Sequence, residues 1–186
     1  MFFFRKADQT RQQTIVFADI AGSTALYEKL GDHMAQTMIA HRIQQMTHRV
    51  RQEKGVLIKT IGDEILCRFD QAGDALRAIA HIMREWPQKE DGLKVRIGLH
   101  TGEVILKEGD VFGDTVNVAA CIVNLAKAEQ ILCTQEVLMA SFYPSRLLQA
   151  IAVKGKSQPI AVHEILLDEK NPDLTLMFSE AAVSAS

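Results

Sequence analysis

The sequence predicts an α+β domain: a ferredoxin-like βαββαβ core followed by a C-terminal β/α extension. A β-branched apolar run at residues 14–20 is followed by apolar residues at helical spacing as far as residue 50. Two short β-type runs, 56–61 and 64–69, flank a Gly-Asp pair in the pattern of a hairpin. A second helical segment and another β-type run complete the order strand, helix, strand, strand, helix, strand, which is typical of this core.

Turn residues and changes of hydrophobic period give the boundaries of the elements in chain order. The first strand ends at residues 19–22, and Gly31-Asp32 divides the following helical segment into a short helix and a long one that ends near Gly55. The remaining predicted elements are helix 75–86, strands 93–100 and 104–106 around Thr101-Gly102, helix 115–126, strand 131–134, short helix 136–141, and strands 147–153 and 160–167.

Length and composition indicate one globular domain. The chain has 186 residues, which is enough for a single well-packed core. Its 47% hydrophobic and 24% charged content gives no sign of a disordered or fibrous class for most of the chain. We expect a lead-in at 1–12, the folded domain at 13–167, and a linker or disordered tail at 168–186. Such a tail leaves room for a regulatory domain or protein outside this chain.

Charge and cysteine usage narrow the expected partners and compartment. The net charge is −2 and no basic block occurs, so no nucleic-acid partner is expected. Three cysteines without CxxC spacing argue against a zinc site or a disulfide framework and favour a reducing, cytoplasmic location. No apolar run approaches the roughly 18 to 20 residues of a membrane span, so no membrane contact by this chain is expected.

Two aspartates are the first candidates for a functional site. Asp19 ends the first strand, and Asp63 lies in the predicted hairpin turn. Because the first strand lies beside the third in this core, both side chains are expected at one end of the sheet. Two converging carboxylates are suited to Mg²⁺ or Mn²⁺ holding a polyphosphate. Taken singly, each residue also has a structural explanation, as a turn or cap residue and as a hairpin residue.

Two further features fit a phosphate-bearing ligand. Gly22, Ser23 and Thr24 lie between a strand and a helix start, where free backbone N–H groups can receive phosphate oxygens, although a plain N-cap explains the same residues. Strand alternation places Lys59 on the same face as Leu57 and Ile61, where a charge needs a partner. A ligand is one such partner. The alternative is an edge-strand lysine that discourages aggregation between sheets.

Five segments together resemble the class III adenylate and guanylate cyclase catalytic domains. They are residues 16–24 (VFADIAGST), 59–63 (KTIGD), 96–102 (RIGLHTG), 110–120 (DVFGDTVNVAA) and 153–156 (VKGK). The segments occur in the family's order and with family-like spacing across the whole predicted domain. The resemblance implies the class III nucleotidyl cyclase fold. It also implies a homodimer whose active sites each lie between two subunits, so that a monomer is inactive.

The resemblance implies a role for each matching residue. Asp19, Asp63 and the backbone carbonyl of Ile20 would bind two Mg²⁺ or Mn²⁺ ions per active site. One metal would help to activate the ribose 3′-hydroxyl and the other would hold the triphosphate, so that the hydroxyl attacks the α-phosphorus and pyrophosphate leaves. Lys59 and Asp110 match a pair that selects adenine over guanine, which implies ATP as substrate and 3′,5′-cyclic AMP as product.

The second half of the implied site contains one departure from the family. Asn117 matches a residue that orients the ribose, and Lys154 matches a lysine that contacts the triphosphate. Four residues after Asn117, where the family usually has an arginine that stabilises the transition state, this chain has Cys121. Loss of one such donor typically costs on the order of 10²- to 10³-fold in rate. The sequence therefore predicts a weakened adenylate cyclase, with a non-catalytic nucleotide sensor or partner subunit as the alternative.

Overall fold

The structure is a computed structural model that describes residues 9–86, 92–139, 143–153 and 155–167. Its strands are β1 (Gln9–Ala21), β2 (Val56–Ile61), β3 (Glu64–Phe69), β4 (Lys94–Lys107), β5 (Asp110–Phe112), β6 (Ile131–Thr134), β7 (Ser145–Ile151) and β8 (Ile160–Ile165). Its helices are α1 (Ser23–Leu30), α2 (Asp32–Gln52), α3 (Ala72–Glu85), α4 (Asp114–Leu125) and α5 (Gln135–Leu138).

The strands form one mixed sheet in the order β2-β3-β1-β4-β6-β8-β7, with β5 paired to β4. β1 lies between β3 and β4 and is antiparallel to both, which confirms the expected pairing of the first and third strands of the core. β4 and β6 run parallel. The βαββαβ core and its C-terminal β/α extension are therefore confirmed.

The hydrophobic residues of β1 divide between the two faces of the sheet. Val16, Ala18 and Ile20 pack with α2 and α3, whereas Ile15 and Phe17 pack with α4 on the opposite face. This alternation follows from the two-residue period of a strand. The longer helices α2, α3 and α4 each bury a set of side chains at helical spacing. In α4 the stripe consists of Thr115, Val118, Ala119, Ile122 and Val123.

β4 differs from its prediction because it is one strand of 14 residues rather than two strands around Thr101-Gly102. Thr101 pairs with Thr14 of β1, and their hydroxyl groups are hydrogen-bonded at 2.8 Å, so the strand continues through this point. β1 is also longer than expected and begins at Gln9, inside the segment predicted as a lead-in. β5 was not predicted as a strand, since it has only three residues.

Two glycines of β4 allow α4 to approach the sheet closely. A Cβ atom at Gly98 would lie 2.2 Å from the backbone nitrogen of Val123, and one at Gly102 would lie 2.6 Å from Oγ1 of Thr115. The helix therefore rests directly on the strand backbone at both positions. Gly102 thus serves close packing rather than the turn that the sequence suggested.

Across the described ranges, no helix combines the length and the apolar character that a membrane span requires. The long helix α2 carries charged and polar residues on its exposed side, including His33, Gln36 and His41.

Candidate active site

Three neighbouring strands, β3, β1 and β4, each carry a charged side chain at the end of the sheet where β1 stops. Asp19 lies directly opposite Glu64 of β3 on one side and Arg96 of β4 on the other. Directly opposed residues share a face, and this face is the one that α4 covers. Arg96 donates from Nε to Oδ2 of Asp19 at 2.5 Å, with the side chains 31% and 13% exposed. These three strands therefore hold two acids and one base in partly buried positions.

Asp63 lies in the two-residue turn between β2 and β3, next to the end of β1. Gly62 adopts φ 63° in this turn, a conformation that favours glycine. The backbone N–H of Ile20 donates to the carbonyl oxygen of Asp63 at 3.3 Å, and the hydroxyl of Ser23 donates to Oδ2 of Asp63 at 2.5 Å. The hairpin turn is thus joined to the turn between β1 and α1, and the structure places Asp19 and Asp63 at the same end of the sheet.

The concentration of acids at this end perturbs Glu64. The pKa of Glu64 is raised to about 7, chiefly by burial and also by the neighbouring carboxylates of Asp19 and Asp63, while the guanidinium of Arg96 acts in the opposite direction. An additional cation would relieve this repulsion, since an opposite charge nearby favours the ionised form of a carboxyl group.

The donor set fits a divalent cation held by few protein ligands. Asp19 and Asp63 each use one oxygen, Oδ2, in the contacts with Arg96 and Ser23, so the other carboxylate oxygen can face a metal. Oxygen ligands of this kind suit Mg²⁺, which is usually bound through one or two carboxylates, retained water and substrate phosphates. In the part of the chain that the structure describes, no group of three or more His, Cys, Asp and Glu side chains forms a metal site. Two carboxylates of this kind fit ions that take their remaining ligands from water and a phosphate group.

The segment Gly22-Ser23-Thr24 does not use a side chain to cap α1. Gly22 occupies the N-cap position with φ 95°, and no side-chain hydrogen bond caps the helix. Ser23 instead contacts Asp63, and Thr24 is exposed. The interpretation as a plain N-cap is therefore wrong for Ser23. A phosphate contact by this segment remains a prediction.

Lys59 and Asp110 form an ion pair, with Nζ 2.6 Å from Oδ2 and side chains 44% and 32% exposed. The prediction that Lys59 shares a strand face with Leu57 is wrong, because a β-bulge interrupts the register between them. Leu57 is opposite Cys67, whereas Lys59 is opposite Leu66, so the two residues face opposite sides of the sheet. β2 is an edge strand, as expected. The Lys59 ammonium lowers the pKa of the Asp110 carboxyl group, and the Val111 N–H adds to this effect.

The outer face of α4 carries Asp114, Asn117 and Cys121, which are exposed and spaced by about one helical turn. Asp114 forms an ion pair with Lys156, and the Lys156 N–H donates to the carbonyl oxygen of Val153 at 3.0 Å. Lys154, the predicted phosphate lysine, lies outside the described residues. Lys156 is attached to the start of α4 by its ion pair with Asp114.

The structure brings some predicted site residues together and separates others. Asp19 and Asp63 share one end of the sheet, and Lys59 contacts Asp110. Within the described residues, neither Asn117 nor Cys121 makes a hydrogen bond or ion pair with these groups, since both point away from the sheet. Sequence reasoning missed Arg96 and Glu64. A signal was available, because both belong to strands that flank β1, but their register against Asp19 was not assigned from the sequence.

The chain belongs to the family of adenylate and guanylate cyclase catalytic domains, whose family model matches residues 5–165. An adenylate cyclase of Streptomyces griseus is 30% identical over 122 residues, which cover 66% of this chain and 31% of that protein. An adenylate cyclase of Anabaena cylindrica is 29% identical over 188 residues, covering 86% of this chain and 38% of that protein. The chain thus spans about a third of the length of these curated relatives.

Solved structures of cyclases share the fold. An adenylate/guanylate cyclase/hydrolase from Silicibacter pomeroyi matches with a TM-score of 0.73 and 31% identity, covering 87% of this chain and 99% of that one. The adenylyl cyclase CyaB from P. aeruginosa matches with a TM-score of 0.74 and 21% identity over 88% of this chain and 97% of that one. The predicted class III cyclase fold is confirmed, and the protein is a catalytic-type domain of the nucleotidyl cyclase family.

Proposed function

We propose that this protein converts ATP to 3′,5′-cyclic AMP and pyrophosphate as a homodimer, using two divalent metal ions per active site. The observation that carries the proposal is the convergence of Asp19 and Asp63 at one sheet end in a chain of the cyclase family. When bound, Mg²⁺ or Mn²⁺ would supply Lewis-acid stabilisation of the charge on the phosphates. Asp19, Asp63 and the Ile20 carbonyl would hold the ions.

The residues of this chain orient the nucleotide around those ions. Arg96 lies within hydrogen-bonding distance of Asp19 and would move its guanidinium onto a phosphate oxygen once a cation neutralises the aspartate. Free N–H groups at the start of α1, at Gly22, Ser23 and Thr24, would receive further phosphate oxygens.

Lys59 and Asp110 support ATP rather than GTP as the substrate. The ammonium of Lys59 would donate to a ring nitrogen, and the carboxylate of Asp110 would accept from the exocyclic amine of adenine. Guanine presents an oxygen at that position, which would leave the carboxylate facing another acceptor. The Lys59 ammonium lowers the pKa of the Asp110 carboxyl group, which further stabilises the carboxylate form that accepts this hydrogen bond.

The outward direction of Asn117 and Cys121 supports a head-to-tail homodimer with two equivalent clefts. Because these side chains point away from their own sheet, they would face the carboxylates of a second copy. Asn117 would orient the ribose, and Lys154 would contact the triphosphate. We also propose a cytoplasmic location and a regulatory domain or protein outside this chain, with no nucleic-acid partner.

Cys121 favours a second candidate function, a non-catalytic nucleotide-binding homologue that acts as a sensor or partner subunit. An exposed thiol cannot supply the positive charge of a guanidinium to the transferring phosphoryl group. A cyclase lacking that charge would be slower by on the order of 10²- to 10³-fold, and a sensor would not turn over at all.

The test is an assay of the purified protein with Mn²⁺ and each nucleoside triphosphate, following the cyclic product and pyrophosphate. We expect slow formation of cyclic AMP from ATP, and an increase of roughly tenfold or more in kcat for Cys121→Arg. No cyclic product from wild type or Cys121→Arg, despite ATP binding, would establish the sensor instead.

A complementation experiment tests the shared site. Asp63→Ala and Asn117→Ala remove residues from the two different subunits that form one active site. Each variant homodimer should therefore be inactive. Their mixture should recover part of the activity, because one of the two clefts in a heterodimer is intact. Absence of recovery in verified heterodimers would refute a site divided between two copies.

A further inference from the structure

We propose that Ser23 is a positioning residue that fixes the carboxylate of Asp63 for metal binding. The proposal rests on the proposed function, since it assigns a role toward the metals of that site. The observation behind the proposal is a hydrogen bond of 2.5 Å from Ser23 Oγ to Asp63 Oδ2. The two residues are separated by 40 positions in the chain.

The hydrogen bond between Ser23 and Asp63 does not cap α1. A serine at a helix start usually accepts a hydrogen bond from the backbone and caps the helix. Here Gly22 holds the N-cap position, Ser23 is already the first helical residue, and α1 has no side-chain cap. The hydroxyl of Ser23 is directed across to the β2–β3 turn instead, so its hydrogen bond serves Asp63.

Two hydrogen bonds from adjacent parts of the chain hold Asp63. The N–H of Ile20 holds its backbone carbonyl group, and the hydroxyl of Ser23 holds one oxygen of its side chain. A residue in a two-residue turn with a glycine neighbour would otherwise sample several side-chain rotamers. The pair of contacts therefore leaves the second carboxylate oxygen, Oδ1, in a defined direction at the sheet end that also carries Asp19.

Groups that orient a metal ligand without touching the metal affect metal binding strongly. Removal of such a hydrogen bond typically weakens metal affinity by roughly 10- to 100-fold. Ser23 is a neutral donor, so its bond to Asp63 preserves the negative charge that a cation requires. This distinguishes its role from that of Arg96, whose positive charge competes with a cation at Asp19.

The experiment measures Mn²⁺ binding by electron paramagnetic resonance in the presence of 3′-deoxy-ATP, which lacks the hydroxyl needed for cyclisation. We expect Ser23→Ala to weaken Mn²⁺ binding by roughly tenfold. Ser23→Thr retains the hydroxyl and should remain within about twofold of wild type. Thr37→Ala is the matched control, because it removes a hydroxyl from α2 whose hydrogen bond goes to the His33 carbonyl oxygen.

The outcomes separate this inference from the proposed function. Equal Mn²⁺ affinity for folded Ser23→Ala and wild type would overturn the role of Ser23 while leaving the metal site in place. If wild type itself binds no Mn²⁺ with the nucleotide, both the inference and the two-metal proposal are wrong. A loss of affinity in Ser23→Thr equal to that in Ser23→Ala would also overturn the inference, since the hydroxyl would then be irrelevant.

Discussion

Arg96→Gln is expected to tighten the binding of Mn²⁺ in the absence of nucleotide. The guanidinium of Arg96 contacts Oδ2 of Asp19 at 2.5 Å, so a cation at Asp19 must bind beside an existing positive charge. Glutamine removes that charge and retains a hydrogen-bond donor and part of the side-chain stem. The carboxylates of Asp19 and Asp63 then present a more negative potential to a divalent ion.

The magnitude follows from the geometry of the pair. An ion on the other oxygen of Asp19 would lie about 5 Å from the guanidinium, given metal–oxygen distances of about 2 Å. At that separation the repulsion between a divalent ion and a unit charge is about 1.7 kcal/mol in water and several-fold larger at lower effective dielectric constants. Because Arg96 is 31% exposed, we adopt the aqueous limit, which corresponds to roughly a tenfold to twentyfold gain in affinity.

Calorimetric titration with MnCl₂ at low ionic strength measures this effect directly. Arg146→Gln is the matched control, since Arg146 pairs with Glu164 on β7 and β8, near the opposite edge of the sheet. The gain should shrink as salt is added, because exposed charges are screened. Unchanged or weaker Mn²⁺ binding by a folded Arg96→Gln protein would refute the idea that Arg96 competes with the metal for Asp19.

Three further predictions concern packing, pH and base selection. Gly98→Ala should reduce the free energy of unfolding by about 1–3 kcal/mol in urea titrations, because its Cβ would overlap the backbone of α4. Gly73→Ala is the control and should not, since its Cβ would meet only Nη1 of Arg77 at an ordinary contact distance of 3.8 Å. His100 is buried and its pKa is lowered by desolvation, so the unfolded chain takes up a proton first as pH falls below about 6.5. The contribution of His100 to stability is therefore present above that pH and lost below it, and His100→Gln should reduce the difference between urea midpoints at pH 7.5 and 5.5. The double variant Lys59→Glu with Asp110→Cys should shift the ATP/GTP preference toward GTP in competition binding; an unchanged ratio would mean that neither residue contacts the base.

Secondary structure could largely be predicted from the sequence because most elements carry a clear period and clear turn residues. The break between α1 and α2 at Gly31, the hairpin at Gly62-Asp63 and the strand at 131–134 are confirmed. The exceptions have physical reasons. The sequence predicts a turn at Gly102, whereas in the structure this glycine accommodates α4. Local sequence contains no information about a helix that packs there from elsewhere in the chain.

Strand register limited what could be predicted about the site. The topology of the core was sufficient to place Asp19 near Asp63, because adjacent strand ends meet. It was insufficient to place Lys59, since a single extra residue in β2 moves every following side chain to the other face. The same lack of register concealed Arg96 and Glu64, which become site residues only through their positions opposite Asp19.

Ser23 shows why the function of a short polar side chain is difficult to infer from local pattern alone. Serine after a strand and before a helix is a good capping residue, and that local preference is worth about 1 kcal/mol. In this chain Gly22 takes the cap position with a positive φ, which no local rule required, and the serine hydroxyl becomes available to a carboxylate 40 residues away. The β2–β3 turn brings Asp63 within hydrogen-bonding distance, and the hydroxyl of Ser23 donates to its carboxylate. When a glycine occupies the N-cap position, the hydroxyl of the next residue is available for a tertiary hydrogen bond. In a strand-turn-helix segment beside an acidic turn, that hydrogen bond can orient a metal ligand.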